Sequence, residues 1–372
     1  MNSFLTILLA IGIFGSFILL HELGHYIFAR IFDVQINEFA IGMGPKLFSR
    51  KSKKTGIVYS LRALPIGGYV AMEGENETMK DNPRAFSSKK VWKRIIITAA
   101  GATVNILMGF ILMFTYTFMM PRYGGTVIAE FTEITVNETV TPSGTAPEAD
   151  TTKTPVITVD NVSSKDSGLM VGDEIYSING KRVIITDELV YRITMDCYRP
   201  VDVVVIRGGE KVTLKDVVFP TMTEQGVTFG RCDFKVYAIE KTFFNTIKVA
   251  FGQCKMAVVT VFDSLAGLFT GRFGLQHMSG VVGTTEAIGE AASYGISTLL
   301  NFCALISVNI GIFNLLPVPA LDGGRLLFQF VEVIRRKPID QKYEGLIHGI
   351  GFVLLMLLVI VVLFNDIFKI FI

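Results

Sequence analysis

Apolar positions gather into four long runs that carry few or no charges. Phe4–Leu20 is free of charge and continues through His21, Glu22 and His25 to Ile31, and Ile95–Met120 gives 26 uncharged residues. Ala291–Leu321 gives 31, interrupted late by Pro317 and Pro319, and Leu346–Phe364 gives 19. About 20 apolar residues in a helix cross the roughly 30 Å of bilayer hydrocarbon, so each run is predicted as a transmembrane helix. The first run lacks a basic start and a small-x-small cleavage site, so it is expected to stay in the membrane rather than be removed as a signal peptide.

The segments between the runs follow other periods. Residues 38–72, "EFAIGMGPKLFSRKSKKTGIVYSLRALPIGGYVAM", alternate short apolar pieces with Gly and Pro, which predicts strands and tight turns. Such an element beside a membrane can dip into it and offer backbone groups to a peptide. Residues 121–240 are predicted as a soluble, β-rich domain, opening on a polar Thr/Pro-rich stretch (132–155) that has the composition of a flexible insertion. "PVITVDN", "DEIYSINGKRV" and "VDVVVIRGGEKVTLKDVVF" then alternate β-branched residues with Asn-Gly and Gly-Gly turns. From 243 to 269, apolar residues recur on a helical face, but Lys248, Gln253, Lys255 and Asp263 favour an interfacial helix over a fifth span.

Half of the 372 residues are hydrophobic and the mean hydropathy is +0.49, the composition of a membrane protein. A net charge of +2 leaves no field to attract nucleic acid. The four cysteines are scattered without a CxxC pair and read as structural. Basic residues set the orientation: residues 30–94 hold 13 Lys/Arg against six Asp/Glu, and Arg325, Arg335, Arg336, Lys337 and Lys342 follow the third run. Both segments are predicted cytoplasmic.

The expected fold is therefore a polytopic α-helical membrane protein with about four transmembrane helices, a membrane-associated β element and an inserted β-rich domain. Its divisions are 1–31 (first helix), 32–93 (cytoplasmic β region), 94–120 (second helix), 121–240 (extracytoplasmic domain) and 241–290 (amphipathic segment). The third helix (291–322), a cytoplasmic segment (323–345) and the fourth helix (346–372) complete the chain. Its expected localisation is a cell membrane crossed several times.

Charged residues inside apolar spans are costly, about 2.5–3.5 kcal/mol at the bilayer centre on insertion scales, and usually functional. "HELGH" (21–25) places two histidines four residues apart on one helical face, where both imidazoles can reach one metal. Glu22 beside them is positioned to lean toward a metal-bound water and take its proton as a general base. Two histidines do not complete a catalytic zinc site, which usually has three protein ligands. His277 is predicted on the other face of the membrane, and His348 stands alone in the last span; either reads as a hydrogen-bonded structural histidine. Asp322 shares the cytoplasmic depth of the "HELGH" segment. In "NLLPVPALDGGR" (314–325), Pro317 and Pro319 are expected to unwind the third helix just before it, and Gly323 and Gly324 to permit a sharp turn. The bland alternative is that Asp322 only caps a helix.

"DSGLMVGDEIYSINGKRV" (166–183) resembles the signature of a PDZ domain, a module that binds peptide ends by strand addition. Together with "HELGH", "GMGPKLF", "RALPIGGYV" and "NLLPVPALDGGR", the chain resembles, over nearly its whole length, the site-two protease family. The likeness is to the bacterial regulator-of-sigma-factor type with a single PDZ domain. The resemblance implies one Zn²⁺ per chain held by His21, His25 and Asp322, with Glu22 catalytic. It also implies that Asn314 contacts substrate near the metal and that the Gly42–Val70 region handles the substrate strand, with Gly42, Gly44, Pro45, Gly67 and Gly68 expected to bind substrate. Pro317, Pro319 and Asn105 are expected to support the site. The implied substrates are single-span membrane proteins, such as an anti-sigma factor or a remnant signal peptide. The implied place is the bacterial inner (plasma) membrane, with the active site near the cytoplasmic side.

Three stretches depart from the family pattern: "GATVN" (101–105) keeps Asn105 without a preceding Gly-Pro, "SGVVG" (279–283) lacks the usual proline, and 132–155 reads as an insertion. None touches a metal position. A proton- or ion-coupled transporter would leave the HExxH spacing unexplained, and a non-catalytic PDZ scaffold would need a broken motif.

Overall fold

A computed structural model describes residues 3–75, 79, 81–132, 162–224, 227–271 and 280–371. Residues 133–161, which hold most of the Thr/Pro-rich stretch and "PVITVDN", lie outside these, as does His277. The chain runs α1 (Ser3–Ile31), β1 (Ile36–Lys51), β2 (Val58–Met72), α2 (Val91–Met119), β3 (Tyr123–Phe131), β4 (Glu174–Ile178), β5 (Lys181–Arg182) and α3 (Thr186–Asp196). There follow β6 (Val201–Arg207), β7 (Glu210–Val217), β8 (Thr221–Glu224), β9 (Val227–Gly230), β10 (Phe234–Ile239), α4 (Phe243–Phe269), α5 (Val281–Tyr294), α6 (Ile296–Leu315), α7 (Asp322–Arg335) and α8 (Gln341–Phe371). Two units divide this chain: Met1–Tyr116 with Ala257–Ile372, and Thr117–Met256.

Among the described residues, five helices are long and apolar enough to cross a membrane: α1, α2, α4, α6 and the Lys342–Asp366 part of α8. Four match the apolar runs. The fifth, α4, is the helix expected over 243–269, and its length and composition make it a candidate span. It carries Lys248, Lys255 and Asp263 but no proline, so it continues unbroken for 27 residues. The 31-residue run 291–321 is not one helix. Gly295, at φ 116°, separates α5 from α6, a backbone conformation that side-chain-bearing residues rarely adopt, and α6 ends at Leu315.

In the first unit, Ala10, Phe17, Ile288 and Ile306 form a core joining α1, α5 and α6. A second core of Ala29, Val34, Ile36, Phe39, Ile57, Val70 and Ile97 fixes the end of α1 against the β element and the start of α2. The β element pairs more elaborately than a hairpin. Residues 38–41 of β1 pair with 68–71 of β2 and also with 58–61, while Lys46–Lys51 pair back onto Val58–Arg62. The two bent strands thus make four ribbons in the order 68–72, 36–41, 58–62, 46–51. Gly42, Gly44 and Gly67, all with φ near +83°, serve the bends between ribbons.

The second unit is β-rich, as its alternation predicts, with sheet order β10-β3-β4-β6-β7 and β5 paired to β4. Its core is the inward face of these strands with α3: Ile128, Ile175, Ile178, Leu189, Ile193, Val203, Val205 and Phe219, together with Cys197. All four cysteines are free thiols. Asp173 is almost wholly buried and accepts from Arg207 Nε at 2.7 Å and from the Met170 N–H at 2.9 Å. Burial raises its carboxyl, but these donors more than reverse that, so its pKa lies below the ordinary 3.8. A depressed folded value means that the pair's contribution is complete above pH 3.8 and fades as pH falls below it. Asp173→Asn is expected to cost this unit about 1.5–3 kcal/mol, the worth of hydrogen bonds to a charged group. Thermal unfolding of the detergent-solubilised chain, followed from neutral pH downward, checks it. The difference between variant and wild type should shrink in acid.

Candidate metal centre and active site

His21 and His25 sit one turn apart on the same face of α1, both buried, with Nε2 atoms 3.1 Å apart and rings edge to face. The i, i+4 spacing alone brings them together. Their aim comes from α2. His25 Nδ1–H donates to the Ile97 carbonyl at 2.8 Å, and since a carbonyl only accepts, the ring proton is held there and the Nε2 lone pair faces inward.

The third group arrives from the far end of the chain. After α6, Leu316 is extended, and Pro317 and Pro319 offer no N–H to continue a helix. Ala320 takes φ 78°, and its N–H donates to His348 Nδ1 at 2.9 Å, so His348 is a structural histidine holding this loop. α7 then starts at Asp322, whose Oδ2 lies 3.0 Å from His21 Nε2 and 3.2 Å from His25 Nε2. Leu321, not Asp322, occupies the N-cap position, and no side-chain cap bond forms there. The capping alternative therefore does not describe this aspartate.

These three groups line a cavity of about 180 Å³ with Glu22, Tyr69, Val70, Met72, Glu75, Thr98 and Arg325. The Glu22 carboxylate is half-buried and, among the described residues, makes no hydrogen bond. Gly68 runs alongside it; a Cβ there would lie 3.2 Å from Glu22 Cγ and 3.0 Å from the Ala40 carbonyl. Among the described residues, the ribbon 68–72 pairs with 36–41 on one side only, leaving an edge beside the cavity. On another wall an Arg325–Glu75 ion pair and a 3.0 Å bond from Gln329 Nε2 to Thr98 Oγ1 tie α7 to the loop after β2 and to α2.

Of the residues expected at the site, His21, Glu22, His25, Asp322 and Gly68 come together, and Pro317 and Pro319 shape the loop that delivers Asp322. Gly42, Gly44, Pro45 and Gly67 stand at the ribbon bends and do not line the cavity. Asn314 donates to its own helix at Ile310 O, 2.9 Å away, outside the cavity lining. Asn105 is fully buried, its side-chain amide without a hydrogen-bond partner among the described residues and its carbonyl accepting from Ser307. Glu75, Thr98, Arg325 and Gly101 also stand at the site without having been singled out for it from sequence. At Gly101 on α2, a Cβ would overlap His25 Nε2 and come within 2.8 Å of His21 Nε2. Glycine inside a helix, where it costs about 1 kcal/mol against Ala, was the one available signal for it.

Three ligand atoms within 4.8 Å of one another, a fixed inward lone pair on His25 and an Asp322 Oδ2 without a hydrogen-bond donor among the described residues form a set that a cation satisfies. Zinc suits two imidazoles and a carboxylate, and ligand atoms about 2.0–2.2 Å from a tetrahedral zinc lie about 3.3–3.5 Å apart, close to the spacings here.

Comparison with known proteins agrees with that chemistry. The model of Peptidase family M50 matches residues 9–358. A Clostridium perfringens chain is 34% identical over 363 residues, covering 97% of this chain and 98% of the other. The regulator of sigma-W protease RasP of Bacillus subtilis is 30% identical, with 98% and 99% covered, and the zinc metalloprotease RasP of Geobacillus kaustophilus is 31% identical, with 98% of each covered. With a match spanning nearly all of a chain that has several membrane-length helices, the protein belongs to peptidase family M50 and is an intramembrane zinc metalloprotease.

Proposed function

We propose that His21, His25 and Asp322 hold the zinc and that Glu22 is the general base in hydrolysis of a peptide bond within or near a transmembrane helix of another membrane protein. The observation that carries this reading is the meeting of Asp322 Oδ2 with both Nε2 atoms, from residues about 300 apart in sequence. When bound, zinc supplies Lewis-acid activation of water and of the scissile carbonyl. The rest of the chemistry belongs to the chain. Glu22, half-buried and without a competing hydrogen-bond donor among the described residues, takes the proton of the attacking water and returns it to the leaving amine. A helical substrate hides its peptide bonds, so it must unwind, and the free edge of the 68–72 ribbon is suited to hold the extended form by strand addition. Gly68 there keeps a side chain from intruding on Glu22.

We place the site near the cytoplasmic side of a bacterial inner membrane, the side to which the charge rule assigns the basic segments. One relative, from Bacillus subtilis, is named a regulator of sigma-W protease, and the substrates we propose are single-span membrane proteins such as an anti-sigma factor or a remnant signal peptide. The β-rich unit is proposed to bind or screen peptide ends as a PDZ domain does.

Metal content tests the ligand set. The wild-type chain is expected to carry one zinc, and Asp322→Ala, with its helical circular dichroism intact, to lose it and to leave a co-expressed single-span substrate uncut. Zinc retained at wild-type stoichiometry in that variant would remove Asp322 from the site.

A further inference from the structure

The β element carries a second cavity, of about 650 Å³, on the sheet face formed by the 36–41, 58–62 and 46–51 ribbons. Directly paired residues share a face, so the register arranges that surface in rows. One row is Ile41–Leu61–Phe48, wholly apolar and 41%, 47% and 66% exposed. The next, two residues further along each ribbon, is Phe39–Tyr59–Arg50. Beyond it the end of β1 and the following turn contribute Lys51, Lys53 and Lys54 to the same cavity. The face therefore passes from bare hydrocarbon to concentrated positive charge over about four residues, roughly 13 Å at 3.3 Å per residue.

These cations have no internal use. Lys46 and Arg62 are both spent on Glu38, at 3.1 and 3.0 Å. Arg50, Lys51, Lys53 and Lys54 are exposed, and among the described residues none is ion-paired. An inorganic anion would need the charge but not the apolar row; an acidic peptide would leave the hydrocarbon uncovered. We propose that this face seats one anionic phospholipid, with acyl chain along Ile41, Leu61 and Phe48 and phosphate among Arg50, Lys53 and Lys54. Occupied, the seat anchors the outer ribbons of the sheet whose opposite edge borders Glu22. The inference does not depend on the catalytic roles proposed above, because lipid retention reads it without cleavage.

The test uses the full chain in detergent, offered phosphatidylglycerol or phosphatidylcholine and examined by native mass spectrometry. One phosphatidylglycerol should be retained in preference to phosphatidylcholine, and less so as salt is raised. Each cation is worth about fivefold at an anionic membrane surface, so Lys53→Gln with Lys54→Gln is expected to lower that retention about 25-fold. Phe48→Ser should weaken both lipids, and Arg335→Gln with Lys337→Gln, at the end of α7 and beyond, should change neither. Undiminished preference in the Lys53/Lys54 variant overturns the proposal. So does displacement by inorganic phosphate with Phe48→Ser silent, which makes it a phosphate site, or equal displacement by a soluble acidic peptide, which makes it a protein-docking site.

Discussion

Glu22→Gln protein is expected to bind zinc as the wild type does and to cleave a co-expressed single-span substrate about 10²–10⁴-fold more slowly, the usual worth of a positioned general base. The amide is nearly isosteric, so the packing of α1 against the Gly68 ribbon is preserved. What is lost is the capacity to accept and return a proton. Glu22 is not among the three groups that converge on one point, so metal content should not move. Quantified zinc with quantified cleavage separates the outcomes: wild-type cleavage sinks the general-base assignment, and lost zinc would make Glu22 part of the ligand set.

The second large effect is expected at a residue with no reactive group. Gly101→Ala should lower zinc affinity at least 10–100-fold, the range seen when groups supporting metal ligands are changed. Two effects oppose each other here. Alanine in a helix is favoured over glycine by about 1 kcal/mol, which stabilises α2. Its Cβ, however, overlaps His25 Nε2 and stands 2.8 Å from His21 Nε2, where no rotamer change of a methyl group brings relief. The α1–α2 approach is equally tight at Gly24, where a Cβ would meet the Ala100 carbonyl at 2.6 Å, so α2 cannot simply retreat. Overlap with the imidazoles therefore outweighs helix propensity. Gly12→Ala on α1, with nothing within 4 Å, serves as the control and should leave zinc untouched. Zinc competition with a chromophoric chelator reads both variants; wild-type affinity in Gly101→Ala would show that the helices can separate.

The two predictions differ in how far the sequence foretold them. His21, Glu22 and His25 were legible because their relation is local: the helical period fixes which residues share a face, whatever the rest of the chain does. The unwinding before Asp322 was legible for a similar reason, since proline lacks the N–H wherever it stands. The helix over 243–269 was legible too, from its apolar face. The break at Gly295 was not, because a lone glycine is tolerated in many helices and local composition leaves both outcomes open.

The β element shows where local reading stops. Its strands and glycine bends were visible as alternation and punctuation, yet nothing in a period of two states that the 36–41 ribbon lies between 68–72 and 58–62. That register puts Gly68 beside Glu22 while Gly42, Gly44, Pro45 and Gly67 stand at the bends. It also lines up the apolar and cationic rows on the opposite ribbons.

By itself the sequence determined the membrane class, the helical pair of histidines with its glutamate, and the helix break that precedes Asp322, all of which depend on neighbours a few residues away. Only the tertiary structure decided that Asp322 meets both imidazoles, that Ile97 orients His25, that Gly101 makes room for both rings and that one sheet edge borders the cavity. Those are contacts between segments tens to hundreds of residues apart. They are set by which apolar faces bury together, and no window of sequence contains that information.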